Sequence, residues 1–462
     1  MIAEVAFNIA SGQSYDYLVP EELRGVAAAG CRVVAPFRTE VKNGYIIRLK
    51  DSSQFANPRP ILKIEPSDRQ IPPQLMKLAD WICEYYCAPH ECVVWNLLPA
   101  VVRKGQMRPQ QILHLELSGK TAENAAEEFA ALTPKRQKVL RTLKALGGAL
   151  PLKEAMGALD AGASVIDALV ASGWLAKVPR TQERNPFANL RILPDSARAL
   201  TGEQSAALKL INAAIDTPGS RPVLLYGVTG AGKTEVYLQA IAHCLELGRE
   251  AIVLVPEIAL TPQTVTRFRA RFGDQVSVLH SGLSDGQRFD EWTRINSGRS
   301  RIAVGARSAL FAPFRKLGLI VVDEEHESTY KQDEMPHYNA RDVAVVRGAL
   351  EHCAVVLGTA TPSLESYYNC TIGKYQLARL SHRIQSHPLP PIELVDMRQE
   401  RQSLNNQRHA SFFSRRLTEL ISARLADGEQ TMLFLNRRGY ATQLTCPMCG
   451  WTATCGQCER TY

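Results

Sequence analysis

The stretch Val223-Leu-Leu-Tyr-Gly-Val-Thr-Gly-Ala-Gly-Lys-Thr234 decides the fold of this chain. Its first four residues are typical of a buried strand, and the remainder satisfies the P-loop pattern G-x-x-x-x-G-K-[ST] before a helix that begins near Lys233. Such glycines let backbone N–H groups surround phosphates, while Lys233 reaches the β- and γ-phosphates and Thr234 ligates Mg²⁺. An ordinary glycine turn is the alternative, but the flanking strand and helix favour a nucleotide site. We expect it to comprise Gly227, Val228, Thr229, Gly230, Ala231, Gly232, Lys233 and Thr234.

From Leu200 onward, strand-like runs alternate with helical ones, which predicts an α/β fold with a doubly wound, mostly parallel sheet. After a Pro-rich break, the strands Ile392–Val395 and Thr431–Leu435 and the helix Phe412–Leu425 are predicted to begin a second unit of the same kind. The strands predicted before the break are Val223–Tyr226, Ala251–Val255, Val276–Leu279, Ile302–Val304, Leu319–Val322 and Ala354–Leu357.

The first 200 residues have a different pattern. Short β-like stretches and one helical segment, Leu75–Tyr86, predict a small β-rich domain. Thr133-Pro134 then offers an N-cap with proline at the first helical position, and two further short helices and the apolar stretch Gly173–Val178 follow. Three helices and a terminal β-ribbon fit a winged helix, and a plain helical domain fits the pattern almost as well.

The composition narrows the function classes. The 54 Lys and Arg residues outnumber the 46 Asp and Glu residues, and a net charge of +8 suits a polyanionic partner without requiring one. The sequence has no apolar run near the length of a membrane helix and no secretory signal pattern at Met1, so we expect a cytoplasmic protein without a membrane partner.

Two acids follow the predicted strand Leu319–Val322 directly. Ligands of open α/β sheets bind at the carboxyl ends of the strands. Asp323 is placed there to hold Mg²⁺, and Glu324 to orient and deprotonate the attacking water. A solvated acidic loop is the alternative, and it loses weight beside a P-loop. We therefore expect Lys233, Asp323 and Glu324 to catalyse ATP hydrolysis.

The segment Asp323-Glu-Glu-His326 resembles motif II of superfamily 2 helicases, and Gly358-Thr-Ala-Thr-Pro-Ser363 resembles their motif III. Four more segments resemble, in order and spacing, the bacterial primosomal replication restart helicases: Val255–Gln263, Leu279–Leu283, Val304–Leu310 and Phe434–Tyr440. This resemblance implies an ATP-dependent 3′ to 5′ DNA helicase that recognises stalled or abandoned replication forks and initiates primosome assembly. It also implies that Gln204 contacts adenine, and that other primosome proteins and single-stranded DNA-binding protein are partners.

The resemblance further implies two DNA contacts. Tyr15 and Asp16 would receive the terminal nucleotide of a DNA 3′ end, although Arg38 stands where the family has glycine and Arg59 where it has lysine. The loop after motif II resembles the family's aromatic-rich loop, which binds single-stranded DNA. Ordinary packing is the alternative for both sets. The loop residues expected to contact DNA are Tyr330, Lys331, Tyr338 and Arg341.

Four of the eleven cysteines lie in the last seventeen residues as two Cys-x-x-Cys pairs, a spacing that lets two thiolates hold one metal. They could form one tetrahedral Zn²⁺ site. In the family, however, they resemble the first halves of two interleaved sites, which implies two zinc ions per full-length chain. The cysteines concerned are Cys446, Cys449, Cys455 and Cys458.

These observations predict five regions. Two alternatives to the restart helicase stay open: another superfamily 2 DNA translocase, and a non-catalytic module that binds DNA ends and loads partners. Because the family places most of its second motor lobe after the position of Tyr462, we expect these residues to bind nucleotide and DNA but not to unwind. The regions are a β-rich 3′-end-binding domain (1–104), a winged-helix domain (105–197), a RecA-like helicase lobe (198–389), the start of a second lobe (390–445) and the start of a zinc-binding region (446–462).

Overall fold

The structure is a computed structural model of the chain, and it describes residues 1–9, 13–65, 70–104, 110–120, 125–182, 184, 192–384, 391–403, 413–434, 449 and 451–454. The chain divides into two compact units, residues 1–386 and residues 387–462, and each is described by itself. None of the helices within these ranges has both the length and the apolar character needed to cross a bilayer.

The first unit opens with a five-stranded antiparallel sheet, as the β-like stretches predict. Apolar side chains such as Val5, Val33 and Ile46 are buried in its own small core. The strands, in the spatial order β2-β1-β4-β3-β5, are β1 (Ile2–Phe7), β2 (Ser14–Leu18), β3 (Arg32–Phe37), β4 (Glu40–Lys50) and β5 (Lys63–Ile64).

Three helices follow this sheet: α1 (Pro73–Tyr85), α2 (His90–Asn96) and α3 (Ala100–Lys104). They do not belong to the core of the small sheet. Leu78, Val94 and their neighbours instead join one hydrophobic cluster with Leu254 and Phe311 of the P-loop region. The N-terminal segment therefore supplies part of the core of the nucleotide-binding sheet.

Residues 110–182 form a small sheet of order β7-β6-β8 with helices packed on it around Leu143 and Trp174. The helices agree with the predicted winged helix, but the ribbon differs. The terminal strand β8 pairs with β6, which precedes the helices in the chain, and β6 also pairs with β7. The elements are β6 (Gln110–Leu117), α4 (Ala126–Ala130), α5 (Pro134–Ala145), β7 (Ala149–Pro151), α6 (Leu152–Ala158), α7 (Ala163–Ala171) and β8 (Leu175–Gln182).

A seven-stranded parallel sheet of order β11-β12-β10-β13-β14-β9-β15 dominates the unit and confirms the predicted fold class. All six predicted strands are present, together with one that the pattern did not indicate, β15. The strands are β9 (Val223–Gly227), β10 (Glu250–Leu254), β11 (Val276–Leu279), β12 (Ile302–Gly305), β13 (Leu317–Asp323), β14 (Ala354–Thr359) and β15 (Gln376–Leu380).

Both faces of this sheet are covered, as in a doubly wound fold. The helices of this region are α8 (Gly202–Asp216), α9 (Lys233–Glu246), α10 (Pro262–Phe272), α11 (Asp285–Asn296), α12 (Ala340–Glu351) and α13 (Leu364–Thr371). One face of the sheet packs against a cluster from α8, α9 and α10, and the other packs against a cluster from α11, α12 and α1–α3.

The second unit contains α14 (Met397–Ser403) and α15 (Arg415–Ala426). The latter confirms the predicted helix, with its start shifted to Arg415. The two predicted strands are wrong over the residues described, because 391–396 and 429–434 are not in strands. A strand requires a ladder partner, and no described strand pairs with either segment.

Candidate nucleotide and DNA sites

The P-loop turns between β9 and α9 as the glycine pattern predicts. Gly230 and Gly232 have φ angles of 84° and 78°, a left-handed conformation that favours glycine. The Lys233 ammonium lies at the start of α9 and donates a hydrogen bond to the Gly227 carbonyl (3.0 Å). The loop therefore presents the unpaired N–H groups of a helix N-terminus, which attract phosphate.

The two predicted acids lie beside this loop because β9 and β13 are both neighbours of β14. Glu324 has a φ of 46°, and its Oε1 lies 3.8 Å from the Lys233 ammonium. The loop and the acids line one cavity of about 500 Å³. The predicted site residues that line it are Gln204, Thr229, Gly230, Ala231, Gly232, Lys233, Thr234, Asp323 and Glu324. Gly227 is the last residue of β9 and Val228 follows it, and neither lines this cavity.

Two tyrosines hold Asp323. The Tyr237 hydroxyl of α9 donates to Asp323 Oδ1 (3.0 Å), and the Tyr330 hydroxyl donates to the Asp323 carbonyl (2.6 Å). Burial, followed by the negative charge of Glu324, raises the pKa of Asp323 to about 6, although Tyr237 and Lys233 oppose the change. Carboxylate and hydroxyl oxygens are the ligands that Mg²⁺ prefers, so Asp323 and Thr234 fit this cation.

The raised pKa of Asp323 makes cation binding sensitive to mild acid. We expect Mg²⁺-dependent nucleotide binding to weaken as the pH falls below about 6, because a protonated carboxyl is a poor cation ligand. In the unliganded protein, protonated Asp323 favours the folded state most below pH 3.8, and this contribution is lost as the pH rises through about 6. The measurement is the fluorescence of a methylanthraniloyl-ATP titration from pH 5 to 8. In EDTA the nucleotide affinity should change little between pH 5 and 8. An equal dependence of affinity on pH with and without Mg²⁺ would contradict the prediction.

Gln204 lines the cavity, but protein groups already occupy its amide. Its Nε2 donates to the Ala231 carbonyl (2.8 Å), and its Oε1 accepts the Thr201 N–H (2.9 Å) in a capping box at the start of α8. A Cβ on Gly232 would lie 2.4 Å from Gln204 Nε2. In this structure Gln204 therefore fixes the P-loop, and its predicted contact with adenine stays a prediction.

Glu325, two residues after the end of β13, is buried and connects the segments that resemble motifs II and III. It accepts hydrogen bonds from the Ser363 N–H (2.7 Å), the Ser363 and Ser366 hydroxyls (2.9 Å each) and Arg341 (3.3 Å). The ring of His326 adds a contact of 2.8 Å to the Thr359 hydroxyl. The sequence analysis missed this network, although Ser363 is a recognisable N-cap of α13.

A larger cavity of about 780 Å³ lies between α2–α3 and the carboxyl edge of the sheet. It is lined by parts of three helicase-like segments, at Val255–Glu257, His280–Ser281 and Ala306–Ser308, and by the loop that follows motif II. Arg103, Arg288, Arg307 and Lys331 contribute cations, against Glu257 and Asp333.

The loop residues predicted to bind DNA are only partly accessible. Tyr330 and Tyr338 line the larger cavity with 1% and 3% of their surface exposed, so neither ring offers a free stacking face in this conformation. Arg341 pairs with Glu325, whereas Lys331 is exposed and lies over the Tyr86 ring at 5.4 Å. The Tyr86 hydroxyl accepts the Asn339 N–H (3.1 Å), so this loop touches the chain just after α1.

Tyr15 and Asp16 lie on β2 of the five-stranded sheet, whereas the P-loop and the nucleotide acids follow strands of the seven-stranded sheet. The Tyr15 ring packs edge-on against Phe37, with centroids 5.2 Å apart. Asp16 accepts hydrogen bonds from Lys50 (3.2 Å) and the Ser53 hydroxyl (2.8 Å). Both residues are half-buried, and their predicted contact with a DNA 3′ end stays a prediction.

The two departures from the family pattern contact each other. Arg38 has a φ of 53°, the conformation that favours the glycine expected there. The Arg59 guanidinium donates to the Arg38 carbonyl (2.9 Å), which holds this turn in place. Arg59 therefore stabilises the left-handed conformation of Arg38, at a position where the family has glycine.

The cysteines of the predicted zinc region give little structural information. Cys446, Cys455 and Cys458 lie outside the described residues, and Cys449 is exposed. Within the described ranges, no group of three or more possible ligands is arranged to hold a metal ion. Zinc binding stays a prediction.

Comparison with known proteins is consistent with this geometry. Residues 201–369 match the family model of DEAD/DEAH box helicases, and residues 4–99 match that of a 3′ DNA-binding domain. The replication restart protein PriA of Bacillus subtilis is 34% identical over 99% of this chain and 65% of its own length. That of Chlamydia pneumoniae is 39% identical over 99% of this chain and 61% of its own length. The chain thus spans somewhat less than two thirds of these relatives.

Solved structures are more distant. RecG bound to a three-way DNA junction matches with a TM-score of 0.31 and 21% identity, over 42% of this chain and 24% of RecG. The Pyrococcus furiosus Hef helicase domain matches with a TM-score of 0.30 and 17% identity, over 48% of this chain and 53% of Hef. Similarity at this level supports no conclusion about function. The sequence matches, however, extend over 99% of this chain, which is similar throughout to the PriA replication restart proteins and, at residues 201–369, to DEAD/DEAH box helicases.

Proposed function

We propose that this chain supplies the nucleotide-binding and DNA-binding part of an ATP-dependent 3′ to 5′ DNA helicase. It would act in the cytoplasm at stalled or abandoned replication forks and initiate primosome assembly with other primosome proteins and single-stranded DNA-binding protein. The observation that supports this proposal best is the convergence of Lys233, Thr234, Asp323 and Glu324 on one cavity. The similarity to PriA replication restart proteins and the match to a 3′ DNA-binding domain support the proposed substrate and partners.

The residues of the cavity suit ATP hydrolysis. The P-loop N–H groups would donate to the phosphates, and Lys233 would exchange its hydrogen bond with Gly227 for one with the γ-phosphate. Glu324 would orient the attacking water and accept its proton, while Thr234 and Asp323 hold Mg²⁺. When bound, Mg²⁺ neutralises the charge that develops on the phosphates.

Replacing Lys233 with alanine tests the nucleotide site. We expect the variant to bind methylanthraniloyl-ATP at least about tenfold more weakly, because charge-assisted hydrogen bonds to phosphate are the strong ones. Lys209→Ala on the exposed side of α8 removes the same charge elsewhere and should bind as the parent protein does. Equal affinity of the Lys233 variant and the parent protein would refute the proposed site.

We also propose that single-stranded DNA lies in the larger cavity. Its cations, Arg103, Arg288, Arg307 and Lys331, can meet the phosphates of the strand. This position is close to the nucleotide acids because Tyr330 contacts both the cavity and Asp323.

Lys331 provides the test of this DNA site. We expect Lys331→Ala to weaken binding to an oligo-dT strand about threefold to tenfold and to reduce the slope of log affinity against log salt by about 0.7, the value for one single-strand phosphate contact. The measurement is fluorescence anisotropy between about 50 and 200 mM salt. Lys316→Ala, which removes an exposed cation outside the cavity, is the control. A Lys331 variant with the parent salt slope would exclude the contact.

A further inference from the structure

A buried tyrosine, Tyr237, lies beside the nucleotide acid Asp323. Tyr237 lies one helical turn after Lys233 on α9, and residues four apart share a face of a helix. Only 1% of its surface is exposed. Its hydroxyl reaches through the core to Asp323 Oδ1 at 3.0 Å.

The neighbouring strand leaves space for this contact. Gly358 on β14 is the register partner of Asp323 on β13. A Cβ added to Gly358 would lie 1.5 Å from the Tyr237 hydroxyl oxygen. The first residue of the segment that resembles motif III is therefore glycine because the phenol occupies the volume of a side chain.

The contact also has a fixed direction. A phenol O–H donates and a carboxylate oxygen accepts, so the hydrogen bond runs from Tyr237 to Asp323. One oxygen of Asp323 is committed to Tyr237, while Asp323 still lines the nucleotide cavity.

We propose that Tyr237 is a positioning residue that orients the Asp323 carboxylate for a divalent cation bound with the nucleotide. This inference rests on the proposed function, since it concerns the cation of the same site. Tyr237 belongs to the P-loop helix and does not line the nucleotide cavity, yet it holds one oxygen of the cation ligand Asp323. Burying the hydroxyl without Asp323 would cost free energy, so the pair is mutually dependent.

Tyr237→Phe removes the hydroxyl and keeps the ring. We expect the Mg²⁺ concentration that gives half of the magnesium-dependent methylanthraniloyl-ATP signal to rise about tenfold, the effect of losing one hydrogen bond to a charged group. Affinity in EDTA should stay within about twofold of the parent protein, a separation that general loosening of the fold would not produce. Tyr226→Phe is the matched control, because that ring contacts Tyr367 and Arg379 and not Asp323.

The outcomes separate the two ideas. A parent protein without magnesium-dependent nucleotide binding would refute the proposed function itself. A Tyr237→Phe variant with the parent magnesium dependence would overturn the positioning role alone. If the variant loses stability, the same substitution in an Asp323→Asn background decides the question. No further rise in the half-saturating Mg²⁺ concentration in that background supports the role of Tyr237, and an equal rise in both backgrounds overturns it.

Discussion

Glu324→Gln should lower the rate of ATP hydrolysis by about 10² to 10⁴, the usual contribution of a general base, while nucleotide affinity changes little. The reason is geometric. The left-handed backbone of Glu324 turns its carboxylate toward Lys233, where the γ-phosphate would lie, and glutamine keeps the shape but cannot accept a proton. Single-turnover phosphate release with protein in excess and a single-stranded oligonucleotide present measures the rate even when it is slow.

Glu327→Gln is the matched control for this prediction. It makes the same change of charge three residues further along, outside the nucleotide cavity. Hydrolysis by this control should match that of the parent protein. If the Glu324 variant hydrolyses ATP as fast as the control, another group must be the base.

Glu325→Ala should lower the free energy of unfolding of the first unit by about 3 kcal/mol. Removing one partner of a buried ion pair typically costs about 3–5 kcal/mol, and here three further donors also lose their acceptor. The lower end of the range applies because Arg341 retains a contact with Asp342 (2.9 Å). Thermal unfolding followed by circular dichroism should show a midpoint lower by several degrees.

Two variants frame this result. Glu325→Gln keeps hydrogen-bonding atoms in place and should recover part of the loss, while Glu334→Ala removes an exposed acid and should stay within about 0.5 kcal/mol of the parent protein. Unfolding of Glu325→Ala at the same midpoint as Glu334→Ala would show that the network contributes no stability.

Sequence patterns were sufficient where local rules dominate. Apolar runs such as Leu319–Val322 gave strands within two residues of their ends, because a parallel strand is buried on both faces. The P-loop and the acids could be placed on one edge, since carboxyl ends of parallel strands meet there. The strand β15 escaped because it alternates buried Ala378 and Leu380 with exposed residues, as an edge strand does.

The remaining features depend on contacts between segments distant in sequence. The roles of the Gln204 amide and the Tyr237 hydroxyl depend on hydrogen-bond partners 27 and 86 residues away in the chain. No spacing in the sequence indicates such partners. Aromatic composition likewise suggested open stacking rings at Tyr330 and Tyr338, whereas the fold buries both. The strand β6 did leave a signal in the sequence, the apolar residues Ile112, Leu113, Leu115 and Leu117 within eight positions.

The packing of α1–α3 against the large sheet has an evolutionary consequence. A gene fusion that exchanged the N-terminal region for another module would expose the apolar side chains that these helices cover, at a cost of roughly 25 cal/mol for each Å² uncovered. Residues 71–102 therefore make the buried face of the seven-stranded sheet dependent on the N-terminal region, and a replacement module would have to cover the same apolar surface.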